Sequence, residues 1–385
     1  MTTIETVNNA LKTFYLDAIS EQLNTRVNPL LSLINRTSTD VWGKEIRHLC
    51  KYGVNGGVCS GTENGNLPLS GGNKYECLCS TLKNFYGTIE ISDKAIRASE
   101  NHAGAMVSLL NAEMEGLLKA VNFNFNRMLF GDGQGVLAKV TSNTSKTLKV
   151  DSTQNLVEGM ILDVYNEDKE KIAGSVRIMS VDRQKNSIWL NTHIPIDEKG
   201  LFLTTQNSYK NELTGLGAIF KDSGDIYGLS RETHTWLIPY IRKDVGEISE
   251  IVIQKAIDEI EENSGNEINF IICSYGVKRA FQKHLSAYKR NLDYINLNGG
   301  YKALSYNGIP IIADKFCPKG MMYLLNTNDF KLNQLCDWQW LEGEDGRILK
   351  QVPNKPVYTA TLVKYADLMC TKPCGQGMLS GIIEE

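Results

Sequence analysis

The run Arg127-Met-Leu-Phe-Gly-Asp-Gly-Gln-Gly-Val-Leu137 ends one long helical pattern and leaves it through a glycine-rich turn. Upstream, Met106, Leu109, Leu110, Met114, Leu117, Leu118 and Val121 fall near one face, which predicts helix as far as Phe130. Roughly 25–30 helical residues make a rod of roughly 40 Å, and Asn101-His-Ala-Gly104 is a point where it can divide. Downstream the theme resumes only at Gly215-Leu-Gly-Ala-Ile219 and Ile226-Tyr-Gly-Leu-Ser-Arg231. The interval 138–212 holds short strand-like runs: Leu148-Lys-Val150, Ile161-Leu-Asp-Val164, Val176-Arg-Ile-Met-Ser-Val181, Ser187-Ile-Trp-Leu190 and Leu201-Phe-Leu203. Polar turns separate them, so a compact barrel or sandwich inserted into a mixed α+β domain is expected. The glycines at 131, 133 and 135 follow a helix, as a C-terminal stop does. A phosphate cradle needs them before a helix N-terminus, so nucleotide binding is excluded.

Outward from this centre, residues 1–40 read as an N-terminal arm, with Leu11, Phe14, Tyr15 and Ile19 at helical spacing before Asn28-Pro29 breaks the pattern. Alternating runs from Trp42 to Tyr52 and from Cys77 to Ile91 flank the polar Gly53-Val-Asn-Gly-Gly-Val-Cys-Ser-Gly61 and Ser70-Gly-Gly-Asn73. The simplest geometry is a long two-stranded arm with a flexible tip. A lone hairpin is marginal in water, so a neighbour is expected to cover it.

On the other side, Ile248, Ile251, Val252, Ala256, Ile257 and Ile260 give an amphipathic helix stopped by Asn263-Ser-Gly265. Ile268-Asn-Phe-Ile-Ile-Cys273 reads as a buried strand, after which Ser274 caps a basic helix running to about Arg290. Asn307-Gly308 turns the chain before Ile309-Pro-Ile-Ile312, and Met321-Met-Tyr-Leu-Leu325 is a further strand. Trp338 to Val352 and Val357 to Met369 read as a long hairpin around Pro353-Asn-Lys-Pro356.

Bulk properties narrow the function. A chain of 385 residues exceeds one ordinary core, so several domains are expected. Its net charge of −3 and pI near 6.1 argue against a surface built mainly to wrap nucleic acid. No apolar run approaches the ~20 residues of a membrane span, and Met1-Thr-Thr-Ile-Glu-Thr-Val7 lacks a secretory pattern, so a cytoplasmic chain is expected. Nine cysteines at irregular positions read as free thiols in a reducing compartment.

No catalytic, cofactor-binding or metal-ligating set emerges. Cys77-Leu-Cys79, near Cys50 and Cys59, puts two thiols on one strand face but lacks the second well-spaced pair of a zinc site. Those cysteines, like Cys370 and Cys374, read as packing residues. His48, His102, His193, His234 and His284 are scattered outside any metal or nucleophile motif, and His234 looks like seam packing. Glu113-Met-Glu115 and Asp258-Glu-Ile-Glu-Glu262 are solvated helix faces. The basic face Lys278-Arg279, Lys283-His284, Lys289-Arg290 reads as solvated by default and otherwise suits an acidic partner helix or packaged DNA.

Taken in order, these elements resemble the major capsid proteins of tailed bacteriophages, which share the Hong Kong 97-type fold. The match at the core rests on Phe270-Ile-Ile-Cys-Ser274, Asn307-Gly-Ile-Pro-Ile-Ile-Ala-Asp314 and Gly320-Met-Met-Tyr-Leu-Leu325. Tyr358-Thr-Ala-Thr-Leu-Val-Lys-Tyr365 closes the peripheral domain. Nearly the whole chain is covered, and the order of elements carries more than any motif. The resemblance implies an α+β chain divided into an N-terminal arm (1–40), an extended β-hairpin loop (41–91), and a spine helix with the start of the peripheral domain (92–137). A small all-β insertion domain (138–212) follows, then peripheral domain (213–245), axial domain (246–335), and a closing peripheral hairpin with the C-terminal segment (336–385). The insertion departs from the family's plainest members.

By that resemblance the chain is a non-enzymatic subunit that assembles with itself into pentamers and hexamers of an icosahedral shell around double-stranded DNA. A short N-terminal arm implies a separate scaffolding protein. A portal, a decoration protein and weak non-specific DNA contact are further implied partners, with assembly in the bacterial host cytoplasm and residence in the virion capsid. Lys51 and Lys74 lie in the extended loop, too little to predict the crosslinking of some relatives. An encapsulin-type cargo shell is the alternative on the same fold. A glycan-binding role for the β module lacks clustered exposed aromatics, and a hydrolase lacks its nucleophile or carboxylate pair.

Overall fold

The computed structural model of the chain describes residues 28–94, 103–144, 146–194, 200–288, 294–296, 302–343 and 346–385. The expected helix of the N-terminal arm, His102, and the Lys289-Arg290 pair lie outside them.

Among the described residues the three largest β systems arise from three burial patterns. The first is a five-stranded sheet centred on Val357–Cys370, with Phe330–Trp340 on one side and Lys83–Ser92 on the other. Short strands Asn35–Thr37 and Lys350–Gln351 extend it. Lys83–Ser92 alternates cleanly, burying Phe85, Ile89 and Ile91 on one face. The long helix Ala103–Met128 crosses that face with Met114, Leu118, Val121, Phe125 and Met128 buried. A Cβ on Gly87 would stand 2.8 Å from the Val121 side chain and 2.9 Å from the Leu117 side chain, so a larger residue here would push those side chains aside where helix and strand meet.

Two readings shift at this point. The alternating run from Cys77 to Ile91 is not one arm strand: Lys74–Thr81 stays in the arm, while Lys83–Ser92 pairs with the closing strand. The alternation barely changes across the break, so hydropathy cannot reveal that the pairing partner does. The strand Phe330–Trp340 also starts before the expected boundary at 336.

The second system is a seven-stranded sheet. Its order is Tyr240–Arg242, Gly377–Leu379, Met322–Leu325, Phe270–Cys273, Ile309–Ala313, Lys302–Tyr306, Tyr294–Asn296. Phe270–Cys273 and Met322–Leu325 are buried at every position because both faces are covered. Helices Glu250–Ser264 and Tyr275–Tyr288 cover one face through Ile253, Ala256, Ile260, Val277, Phe281 and Leu285. Ser249 caps the first of these and Gly265, at φ +62°, ends it. The two strands at one edge come from segments that the sequence assigns to the peripheral units at 213–245 and 336–385.

The third is a closed six-stranded barrel: Ser187–Leu190, Thr147–Val150, Val136–Thr144, Phe202–Thr205, Ile161–Tyr165 and Lys171–Asp182 in spatial order. Its own core includes Leu148, Leu162, Val164 and Leu203, none of them exposed. Each such side chain contributes about 1.5–3 kcal/mol on burial. Register shifts at Trp189/Leu190, Leu203/Thr204 and Val140/Ser142 bend the strands enough to close it. The first strand, Val136–Thr144, was absent from the sequence reading. It continues directly from the glycine turn, and Lys139 with Ser142-Asn143-Thr144 makes it read as polar loop.

Candidate assembly interface

The arm is the hairpin Glu45–Tyr52 with Lys74–Thr81, joined by a tip at 53–73 without regular structure. Period-two alternation gives it two faces of different chemistry. One face lies on the body, with Ile46 and Leu78 fully buried. Around them a set of polar and aromatic anchors fixes the base. His48 Nδ1 sits 2.7 Å from Asp40 Oδ2, which also faces Lys331 at 3.5 Å. Tyr52 stacks on Trp236 at 5.4 Å, and His234 lies edge-on to Tyr52 and 3.7 Å from Glu76. The Cys79 N–H donates to the Tyr227 carbonyl at 2.9 Å.

Asp367 is the deepest of these anchors. Its carboxylate accepts from Ser80 Oγ at 2.5 Å, from the Thr214 N–H at 2.8 Å and hydroxyl at 2.9 Å, and from the Leu368 N–H at 3.0 Å. One buried group thus ties the arm, the segment that leaves the barrel and the closing strand together. Burial raises its carboxyl above the usual range, against the pull of those hydrogen bonds.

The outward face is exposed and carries apolar side chains. Arg47 pairs with Cys79, Leu49 with Cys77 and Lys51 with Tyr75, and all six are exposed. Leu49 is 64% exposed and Tyr75 53%, while Val54, Val58, Leu67 and Leu69 at the tip are 86–91% exposed. Cys77 and Cys79 stand with sulfurs 3.6 Å apart, on one face as their spacing requires. Cys50, on the inner face, is different: burial pushes its thiol up to about 11. Cys370 is buried and Cys374 half-buried, both raised by burial as well. Among the described residues no group of three or more His, Cys, Asp or Glu is placed to hold a metal. No helix among them is long and apolar enough to cross a membrane.

The glycine turn that ends the long helix forms the neck of the barrel. Gly133 and Gly135 take φ +81° and +79°, and a Cβ on Gly215 would lie 2.3 Å from the Met128 carbonyl. The two halves of the interrupted theme therefore touch in space. Beside them Arg127 and Glu212 form a bidentate pair at 2.9 and 2.5 Å, 4% and 2% exposed. The barrel surface also carries an aromatic group that spacing did not show: Tyr165, Phe202 and Tyr209, with centroids 4.8–5.5 Å apart and each half-buried. Tyr165 and Phe202 face each other as a cross-strand pair, which is ordinary sheet stabilisation.

No protein-family model matches the chain, and no curated protein matches it. Solved structures do. A cyanophage A-1(L) capsid subunit aligns over 93% of both chains with a TM-score of 0.55 at 13% identity. The capsid of an empty GTA particle aligns over 92% of this chain and 90% of its own, TM-score 0.50, at 8% identity. The SrpI encapsulin of Synechococcus elongatus covers 95% of each chain at a TM-score of 0.48 and 10% identity, too weak to bear on the choice between shells. The chain has the Hong Kong 97-type fold of phage capsid proteins, mixed α+β, with a closed barrel set into it.

Proposed function

We propose that the chain is the major capsid subunit of a tailed bacteriophage, assembling into pentamers and hexamers of an icosahedral shell that encloses double-stranded DNA. The observation that carries this reading is the two-faced arm. Its inner face is anchored at several independent points, whereas its outer face and tip present apolar side chains, the tip ones 86–91% exposed, that the chain itself leaves uncovered. Exposed apolar side chains of this kind, at the tip of an anchored hairpin, mark a protein–protein contact. On the five-stranded sheet, a groove of about 470 Å³ with Trp340, Leu341, Ile348 and Tyr365 in its wall has matching chemistry for the tip of the next copy. Such a contact is head-to-tail, and head-to-tail contacts generate rings when the rotation between copies closes. The role is structural and not catalytic. A separate scaffolding protein, a portal and a decoration protein complete the expected set of partners, with assembly in the host cytoplasm and residence in the virion.

Negative-stain electron microscopy beside sedimentation tests this reading on the purified chain. Closed shells, tubes, or rings of five and six are expected. A monodisperse monomer at every concentration, with and without a scaffolding partner, overturns it. Shells filled with protein instead of nucleic acid would place the chain with cargo compartments.

A further inference from the structure

The basic helix Tyr275–Tyr288 is not bare. The chain's last residues return along the seven-stranded sheet: the Ile382 N–H donates to the Gly320 carbonyl at 3.0 Å and the Ile383 N–H to the Gly246 carbonyl at 2.9 Å. That places two acidic residues on the helix. The Glu384 carboxylate accepts from Ser274 Oγ, the residue capping the helix, and from the Gly320 N–H at 2.7 Å. The seat is shaped for it, since a Cβ on Gly276 would lie 2.5 Å from the Glu384 carboxyl carbon, and Gly320 holds φ +66°. A carboxylate there also meets the positive end of the helix dipole. Next to it Glu385 takes the helix's cations: its carboxylate pairs with Lys283, and its carbonyl accepts from Arg279 Nε at 2.7 Å.

We propose that the Lys278–Arg279–Lys283 face contacts the phosphodiester backbone of nucleic acid, and that Glu384 and Glu385 occupy it as an acidic clasp in cis. The clasp's oxygens sit where phosphate oxygens would sit, on a helix N-terminus flanked by Arg and Lys. The clasp is also easily displaced. Lys283 and Glu385 are 70% and 49% exposed, and pairs that exposed hold weakly and yield to salt or to a polyanion. Nucleic acid is favoured over an acidic partner protein because a phosphate chain offers dense, evenly spaced charge that outcompetes two carboxylates. The clasp therefore sets a low resting affinity, consistent with a shell subunit that must assemble before it meets its contents. Only that last step rests on the capsid reading.

The test is fluorescence anisotropy of a short mixed-sequence DNA duplex with the full chain across a salt series. Glu384→Gln with Glu385→Gln keeps the hydrogen-bond acceptors and removes both charges. The expected result is binding several-fold tighter at low salt, with a slope of log K against log salt steeper by about 0.9, for the one cation, Lys283, that loses its carboxylate partner. Adding Arg279→Ala and Lys283→Ala should abolish the gain. Glu261→Gln with Glu262→Gln, the same change of net charge on the neighbouring helix, should leave the slope unchanged. An unchanged slope in the tail variant, or a gain that survives loss of Arg279 and Lys283, overturns the proposal. So does a gain for polyglutamate with none for DNA. Shells scored by microscopy separate the two readings: shells without the DNA gain sink the clasp alone, and the gain without shells sinks the capsid reading alone.

Discussion

The barrel and the arm are both antiparallel β structures, and they end in opposite ways. The barrel pairs its last strand with its first, Phe202–Thr205 with Val136–Thr144, and buries its own core. Closure removes every edge, so its interior stability needs no neighbour. The arm buries one face only, and its tip has no regular partner. The first is a finished object attached at a neck; the second, on the proposed reading, is half of an interface attached at a base. The lesson is that the two attachments, and not the strands, decide how each region serves the whole.

The largest expected effect comes from the unfinished half. Leu67→Glu with Leu69→Glu places two charges on side chains that are 90% and 91% exposed, so stability of the isolated chain should change by no more than about 0.5 kcal/mol. Assembly should fail outright, because burying an unpaired charge at a contact is far more costly than burying leucine. Sedimentation velocity with a denaturation curve reads both. Shells that form normally would mean that the tip faces solvent in the assembly, and the comparison with the barrel would lose its point.

Next is the neck of the finished half. Removing Arg127 leaves Glu212, 2% exposed, without its partner, so Arg127→Ala should cost about 3–5 kcal/mol. The paired replacement Arg127→Met with Glu212→Leu should recover most of it, since two apolar side chains need no partner. Hydrogen exchange should localise the loss to 131–135 and 213–217, with the strands from Thr147–Val150 to Ser187–Leu190 still protected. Exchange that spreads evenly through the barrel would show that the barrel depends on its host after all.

How much of this could be read in advance follows from the kind of signal each part carries. The long helix, the strand Phe270–Cys273 and the capped helix Glu250–Ser264 have strong periodicity and local stops, so their sequence speaks for them. The barrel's opening strand did not, because Gly133 and Gly135 precede it and polar residues fill its second half. The switch of partner at Leu82 was invisible: Leu82 donates its N–H to the Lys44 carbonyl at 3.0 Å, and that choice is made by tertiary structure. The same holds for Lys364. It sits within an ordinary strand pattern, yet it is fully buried beside the Phe125 and Trp338 rings at 5.6 and 5.8 Å and bonded to Gln334 and Asp337. The interface was legible only as composition, glycine and asparagine around exposed apolar residues. Which face of the arm is anchored depends on partners such as Trp236 and Asp367, far along the chain.

The base of the arm gives the smallest and most discriminating effect. Asp367→Ala leaves Ser80 Oγ, the Thr214 N–H and the Leu368 N–H without their acceptor, a loss of about 2–3 kcal/mol that should raise exchange in Glu45–Tyr52 and Lys74–Thr81 but not in the barrel. Asp367→Asn keeps an acceptor and should cost less, and its dependence on pH has a definite sign. Burial holds the Asp367 carboxyl above its value in the unfolded chain, as it does those of Asp314 and Asp329. The native state therefore binds protons more tightly, so this group's contribution is most favourable below the ordinary carboxylate range and declines as pH rises through the raised native value. The asparagine side chain carries no such term. Its stability relative to the wild type should be better at pH 7 than at about pH 3, below the ordinary carboxylate range, measured by urea unfolding at the two values. An equal difference at both would mean that Asp367 titrates normally in the fold, and that the arm is held by its aromatic contacts, Tyr52 on Trp236, instead of by the buried carboxylate.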